Sequence, residues 1–147
     1  MNVIAKNRRA NFDYDTNERI VAGIVLAGHE AKSIRAGHIS LKGSFVSIRN
    51  HEAWLTNAHI SKYANAAIEN YDPIRPRKLL IKNRELKHII SCKQNGYSVY
   101  PLSVGIDKKF IKMEIGIGKG KKLYDKRMTI KKRDEIRDIN RHFKQKS

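Results

Sequence analysis

The chain has 147 residues and a mass of 16.9 kDa, which allows one domain with a real core and excludes two. It carries 31 Lys and Arg against 14 Asp and Glu, a formal net charge of +17, so a polyanion such as nucleic acid is the expected partner. Cys92 is the single cysteine, which excludes an internal disulfide and a cysteine-built zinc centre. Because no apolar run reaches membrane or signal-peptide length, we expect a cytoplasmic protein that does not bind membranes.

Alternation of apolar and polar side chains, the spacing typical of a β-strand, dominates the chain before residue 119. The clearest case is residues 110–117, where Ile111, Met113, Ile115 and Ile117 fall on one face. Many short strands with two small helices favour a closed or half-closed antiparallel barrel. The predicted strands span residues 20–27, 37–41, 44–49, 53–56, 97–104 and 110–117, and the predicted helices span residues 29–35 and 83–92.

Prolines interrupt this pattern at two places. Pro73 and Pro76 remove two amide donors and hold their predecessors extended, so residues 72–78 are predicted to be a basic loop that leads into the second helix. Pro101 lies inside a predicted strand, which indicates that this strand is at an edge of the sheet or contains a bulge.

The composition changes once, at residue 119. Residues 119–147 contain 12 Lys and Arg against 4 Asp and Glu, with too few apolar residues to close a core, which predicts an unpacked basic extension. A helix over residues 130–144 would align Ile136, Ile139 and Phe143 in one apolar stripe. Such a helix is marginal in water and should form only against a partner, and a permanently disordered tail is the alternative.

No catalytic or metal site emerges from the motifs. The six histidines show no metal-ligand spacing with one another or with Cys92, which we interpret as a small half-buried residue at the end of a helix. The glycine-rich segment 116–122 lacks the spacing of a phosphate loop and of the dinucleotide fingerprint, although its glycines allow the backbone to approach phosphates closely. We therefore predict no catalytic residue, no metal and no cofactor, and an enzymatic activity is unsupported.

The segment of residues 119–127 has side chains suited to binding an RNA backbone and an unstacked base. It combines dense positive charge with a glycine and with Tyr124, an aromatic side chain that can stack on an unpaired base. Asp125 lies inside this basic run. Its carboxylate is predicted to hold a neighbouring Lys or Arg in position by a charge-assisted hydrogen bond. The alternative is a solvated connector whose lysines only keep the protein in solution.

Several ordered motifs together match one protein family. In chain order they are NRRA at 7–10, AGIVL at 22–26, GHEAKSIRAG at 28–37, DP at 72–73 with RKLL at 77–80, GY at 96–97 with PL at 101–102, and KGKK at 119–122 with DKR at 125–127. In this order and spacing, which cover nearly the whole chain, the sequence resembles the SmpB family of SsrA-binding proteins.

The resemblance implies a mainly β protein with small helices. Residues 1–118 would form an OB-like antiparallel β-barrel that binds RNA, and residues 119–147 a basic tail that is disordered when free and helical when bound. Its RNA would be the tRNA-like domain of tmRNA (SsrA RNA), which the protein would deliver to stalled ribosomes for trans-translation. The tail would occupy the empty mRNA channel near the decoding centre of the small subunit, and the protein would be a monomer.

The resemblance also implies two sets of site residues. The Gly120 to Arg127 segment would be needed for accommodation on the ribosome. The RNA-binding set is Arg8, Arg9, Lys32, Arg35, Arg77, Lys78, Leu80, Lys82, Lys119, Gly120, Lys121, Lys122, Tyr124, Asp125, Lys126 and Arg127. The ribosome-engaging tail set is Lys131, Lys132, Arg133, Ile136, Arg137, Ile139, Arg141, His142 and Phe143.

The chain departs from the family pattern at Val21, where relatives usually carry a glutamate implicated in RNA binding. That contact is lost, tolerated, or replaced from Glu18 or Glu30. The tail keeps a hydrophobic tip at Phe143 and places His142 where relatives often have a second bulky apolar residue. Two other functions remain as alternatives: an RNA-processing or modifying enzyme on an OB-like scaffold, and a general ribosome-associated OB-fold protein.

Overall fold

A computed structural model describes residues 1–64 and 68–121. Within these residues no helix is both long and apolar enough to cross a membrane. The elements in chain order are β1 (Asn2–Lys6), α1 (Arg8–Asp13), β2 (Tyr14–Ile24), α2 (Gly28–Arg35), β3 (Ile39–Ser40), β4 (Phe45–Arg49), β5 (Glu52–Thr56), β6 (His59–Ile60), β7 (Arg77–Leu80), α3 (Asn83–Gln94), β8 (Ser98–Asp107) and β9 (Phe110–Gly120).

Seven of the strands form one antiparallel sheet in the order β1-β8-β9-β2-β7-β5-β4, and β3 pairs with β6 in a separate ribbon. The long strands β8, β9 and β2 are neighbours in this order. The sheet curls so that β4 approaches β8, although no ladder of hydrogen bonds joins these two among the described strands. This half-closed barrel confirms the antiparallel β architecture that was predicted from the sequence.

The core fills the inside of this curled sheet. On β9 the four alternating residues Ile111, Met113, Ile115 and Ile117 are buried, which confirms the predicted strand and its inward face. Helices α2 and α3 contribute buried side chains to the same core. Each fully buried aliphatic side chain contributes about 1.5–3 kcal/mol, so the core within residues 1–121 provides the main stabilisation of the fold.

Strand β2 differs from its prediction because it begins at Tyr14, six residues earlier than the apolar run suggested. The extra segment is polar, and its residues pair with the end of β9, for example Asp15 with Lys119. A register shift between Thr16 and Glu18 marks a β-bulge. Cross-strand pairing, which the local apolar pattern does not reveal, therefore sets the start of this strand.

The predicted loop at residues 72–78 is wrong in its last two residues. Arg77 and Lys78 begin β7, which lies between β2 and β5. The proline constraint ends at Pro76, after which the backbone pairs normally. The prediction of an edge strand or a bulge at Pro101 is confirmed as a bulge, since the β8–β9 register shifts after Pro101 while β8 lies between β1 and β9.

Gly116 and Gly118 of β9 allow close packing inside the protein. The expectation that they allow phosphates to approach the backbone is therefore wrong. Both are buried. A Cβ atom on Gly116 would lie 2.6 Å from a ring carbon of Tyr100, and one on Gly118 would lie 2.0 Å from the backbone oxygen of Asp15. Tyr100 packs in a second cluster with Ala10 of α1, so this short helix covers the outer face of the sheet here.

Candidate nucleic-acid interface

Two of the family motifs, which lie more than 100 residues apart in the chain, meet at one corner of the fold. The backbone N–H of Lys121 donates to the carbonyl of Asp13 at 2.8 Å, and its Nζ donates to the carbonyl of Asn11 at 3.0 Å. Asp13 also accepts from Arg9 Nε at 3.3 Å. The start of the basic tail is therefore held against α1. We call the basic residues at this end of the sheet, Arg8, Arg9, Lys119 and Lys121, the basic corner.

Helix α1 places the two arginines of this corner. The Asn7 side chain caps the helix by accepting from the backbone N–H of Ala10 at 3.2 Å, and it donates to the carbonyl of Pro101 at 2.8 Å. Arg8 and Arg9 are exposed on the helix that Asn7 anchors. The NRRA motif thus combines one buried anchor with two cations that face solvent.

Lys119 adds an aromatic neighbour to the basic corner. Its Nζ lies 4.9 Å from the ring centroid of Tyr97, within cation–π range, and the lysine is exposed. Lys119 and Gly120 belong to β9, so the sheet continues two residues beyond the predicted boundary at residue 118. A strand therefore positions the Lys119 cation, which suits electrostatic contact with a phosphate backbone.

A second exposed surface surrounds Leu80 and contains Val21, Leu80, Lys82, Lys112 and Glu114; we call it the Leu80 surface. Leu80 and Val21 each expose 56% of their area. Gly23 separates them, and a Cβ atom there would lie 3.3 Å from the Leu80 Cβ. The outer face of the sheet therefore presents apolar side chains beside exposed Lys82 and half-exposed Lys112.

Glu114 provides a carboxylate directly across from Val21, the residue that replaces the family glutamate. The two residues are direct partners in the β2–β9 ladder, and Glu114 Oε1 accepts from Arg19 at 2.8 Å. Glu18 instead contacts His88 at 2.7 Å, and Glu30 is fully buried. Sequence reasoning missed Glu114 and Lys112, since only the strand register shows that they share this face.

Arg77 is a correction to the predicted RNA-binding set, because it is fully buried. Its Nε and Nη2 donate to Glu30 Oε2 at 2.9 and 2.6 Å, and its Nη1 donates to the carbonyl of Ala58 at 2.8 Å. Its Nη2 also lies within hydrogen-bonding distance of the Tyr71 hydroxyl and the Pro73 carbonyl. Arg77 therefore fixes α2 and the 71–76 loop against β7.

Glu30 is the centre of this buried network. Burial acting alone would raise the pKa of Glu30, but hydrogen bonds from Arg75, the Ala27 backbone N–H and Arg77 lower the pKa to about 2. The Tyr71 hydroxyl donates to Glu30 Oε2 at 3.0 Å, and burial and this carboxylate raise the pKa of Tyr71. Glu30 is thus excluded as a replacement for the missing surface glutamate.

The remaining described basic residues of the predicted set have local partners. Lys32 Nζ lies 5.8 Å from the Tyr63 ring centroid, and Arg35 donates to the carbonyl of Lys109 at 3.0 Å. Both remain exposed on α2. Lys78 is half-buried and donates to a carboxylate oxygen of Glu52 at 3.2 Å, so its charge is partly neutralised.

The other predicted site residues lie outside the described residues, as do the predicted helix over 130–144 and the tail conformation. They are Lys122, Tyr124, Asp125, Lys126, Arg127, Lys131, Lys132, Arg133, Ile136, Arg137, Ile139, Arg141, His142 and Phe143.

The prediction that no histidine lies at metal-ligand spacing from Cys92 is wrong. His88 and Cys92 are four residues apart on α3, and the fold brings Glu18 of β2 against them. One ligand atom from each of the three side chains lies within 4.8 Å of the others. The helical spacing of His88 and Cys92 was visible in the sequence, but the third side chain comes from a strand 70 residues earlier.

Comparison with known proteins gives a consistent result over nearly the whole chain. The family model described as SmpB protein matches residues 4–145. An SsrA-binding protein of Borreliella burgdorferi is 47% identical over 146 residues, covering 99% of this chain and 97% of the relative. An SsrA-binding protein of Shouchella clausii is 48% identical over 145 residues, covering 98% of this chain and 93% of the relative.

A solved structure named "tmRNA-SmpB: a journey to the center of the bacterial ribosome" contains a similar chain. It has a TM-score of 0.66 and 37% sequence identity, and the match covers 81% of this chain and 85% of that one. The half-closed antiparallel barrel with exposed basic surfaces defines a small, basic OB-like β protein. The chain belongs to the SmpB family.

Proposed function

We propose that this protein binds the tRNA-like domain of tmRNA (SsrA RNA) and delivers it to stalled ribosomes for trans-translation. The observation that carries the proposal is the basic corner, where the fold joins the family motif at residues 7–10 to the one that starts at Lys119. Relatives of similar length are named SsrA-binding proteins, and the similar solved chain is part of a tmRNA-SmpB structure.

The two described surfaces make different kinds of contact with the RNA. The basic corner contacts phosphates, because Lys119 is exposed at a strand end and Arg8 and Arg9 are exposed on a capped helix. The Leu80 surface packs against the irregular part of a folded RNA, where Leu80 and Val21 cover apolar base or sugar surface and Lys82 contacts a phosphate. Glu114 takes the place of the missing glutamate on this face.

We also propose a division of the chain into two functional parts. Residues 1–118 form the RNA-binding barrel, and residues 119–147 form the tail that engages the mRNA channel of the small subunit, with Lys119 and Gly120 continuing the sheet. The protein acts in the cytoplasm as a monomeric, non-catalytic adaptor. Its chemistry is recognition of RNA, and the reactions of translation belong to the ribosome.

A general single-strand binder would instead need several aromatic side chains on one sheet face as stacking platforms. In the described part of the chain, Tyr14 and Tyr100 stack on each other at 4.3 Å between ring centroids, and Tyr100 is buried. Phe110 is exposed next to Lys112 rather than beside a second ring. This arrangement favours recognition of a folded RNA.

The affinity for the tRNA-like domain should fall steeply with salt, because each phosphate that the protein neutralises releases condensed counterions. Each such contact contributes about −0.7 to −0.9 to the slope of log K against log salt concentration. We expect Lys119→Ala to make this slope shallower by about one contact. Filter binding of the protein to the isolated tRNA-like domain of the RNA, at four or five salt concentrations, measures the effect.

Lys87→Ala is the matched control for this experiment. It removes one exposed lysine from α3, outside both surfaces. The control should retain the slope of the unsubstituted protein. If the slope of log K against log salt concentration becomes equally shallow in both variants, only net charge matters. The assignment of the basic corner to phosphate contacts would then be wrong.

A further inference from the structure

Three side chains with metal-ligand chemistry converge between β2 and α3. Glu18 Oε2 lies 2.7 Å from His88 Nε2, and Cys92 Sγ lies 3.6 Å from the same nitrogen. The three ligand atoms all lie within 4.8 Å of one another. Neither RNA-binding surface includes these residues, so the proposed function does not account for their arrangement.

The separation of Cys92 and His88 suits a tetrahedral zinc site, and the third ligand, Glu18, lies on an exposed side chain that can adjust. Zinc bonds of about 2.0–2.3 Å place two tetrahedral ligands roughly 3.3–3.6 Å apart, which agrees with the observed sulfur-to-nitrogen distance of 3.6 Å. The Glu18 oxygen is closer than this, at hydrogen-bonding distance from His88. The Glu18 side chain is 50% exposed, so its carboxylate can withdraw by less than about 1 Å to admit the ion.

The charges also favour a divalent cation. With the Glu18 carboxylate and the Cys92 thiolate, the site offers two negative charges to a metal ion. A zinc ion would be bound by this thiolate, the carboxylate and neutral His88, which leaves the centre without net charge. Binding would break the S–H bond of Cys92, form a sulfur–metal bond and release one proton to solvent.

We propose that Glu18, His88 and Cys92 form a zinc-binding site that links β2 to α3. A cavity lined by Glu18, Ile20, Arg84, Glu85 and His88 adjoins the site, and a water from it completes the tetrahedron. The ion stabilises the packing of α3 against the barrel, because it joins a strand and a helix that lie about 70 residues apart in the chain. The alternative is that the Glu18–His88 pair holds the two elements together without a metal.

Cobalt titration of the full-length protein without an affinity tag tests the proposal, since Co²⁺ reports both its geometry and its ligands by absorption. We expect one Co²⁺ per chain, with the visible bands of a tetrahedral site and a near-ultraviolet thiolate-to-metal band, all displaced by Zn²⁺. Cys92→Ser should abolish the thiolate band. Loss of an outer hydrogen-bond partner weakens metal binding about 10–100-fold, so loss of a direct ligand in Cys92→Ser or His88→Gln should weaken Zn²⁺ binding by at least about tenfold.

His59→Gln is the matched control, because it removes an exposed histidine from β6. Far-ultraviolet circular dichroism checks that each variant is folded before titration. The proposal is overturned if the unsubstituted protein binds no Co²⁺ at one equivalent or gives no thiolate band. It is equally overturned if Zn²⁺ binding weakens as much in His59→Gln as in the folded Cys92→Ser or His88→Gln variant.

Discussion

Truncation after Ile130 should abolish peptide tagging on stalled ribosomes while RNA binding by the isolated protein stays close to normal. The removed residues are strongly basic and carry few apolar side chains, whereas the inner face of the barrel is filled from within residues 1–121. We expect the melting temperature to change by less than about 4 °C, equivalent to under ~1 kcal/mol. A larger fall would show that the tail packs on the barrel and would contradict its assignment as a separate ribosome-engaging segment.

A single substitution in the tail tests whether its predicted apolar stripe, rather than its charge, is needed for tagging. Phe143→Glu removes an aromatic side chain and places a negative charge where rRNA phosphates are expected, so tagging should fall strongly while binding to free RNA stays normal. Lys146→Glu changes the charge in the same direction without altering the stripe that Phe143 is predicted to form with Ile136 and Ile139. Equal loss of tagging in both variants would contradict the helical stripe and leave tail charge as the cause.

Glu30→Gln should destabilise the protein by about 3–5 kcal/mol, because it leaves the buried guanidinium of Arg77 without its carboxylate. Urea unfolding measures the change. Glu52→Gln is the matched control, since it removes a carboxylate from a half-exposed pair with Lys78 and should cost at most about 1 kcal/mol. Similar costs for both variants would contradict the structural role of the buried network.

The same carboxylate gives the protein an acid-sensitive component of stability. The pKa of Glu30 is lowered from its ordinary value of 4.5 to about 2 in the folded protein, so its contribution is fully present above pH 4.5. That contribution, about 3 kcal/mol, is lost progressively as the pH falls from 4.5 towards 2. In Glu30→Gln the free energy of unfolding should lose this part of its pH dependence, and an unchanged profile would contradict the assignment.

The parts of the fold that could be predicted from the sequence are those with strong local periodicity. Strand β9 was predicted because its inward residues alternate without interruption, and α3 was predicted because its apolar residues follow helical spacing. Helix α1 was missed because it has only six residues and depends on the Asn7 cap. The extension of β2 was missed because pairing with β9, rather than burial, holds its polar half in place.

Site residues were harder to predict, because the residue type alone does not reveal whether a charged side chain faces solvent or the interior. Arg77 and Lys78 are neighbours in one basic motif, yet one is buried against Glu30 and the other reaches Glu52 at the surface. The partner Glu30 lies 47 residues earlier in the chain. Glu114 required the register of β2 against β9, which a single sequence does not contain.

Sequencing the RNA that co-purifies with the protein from its native cell tests the central proposal most directly. The protein should be isolated at moderate salt, because non-specific contacts weaken first as salt rises. A function in trans-translation predicts a single abundant RNA species with a tRNA-like end. A broad mixture of cellular RNAs without such a species would contradict specific recognition of tmRNA and would favour a general ribosome-associated role.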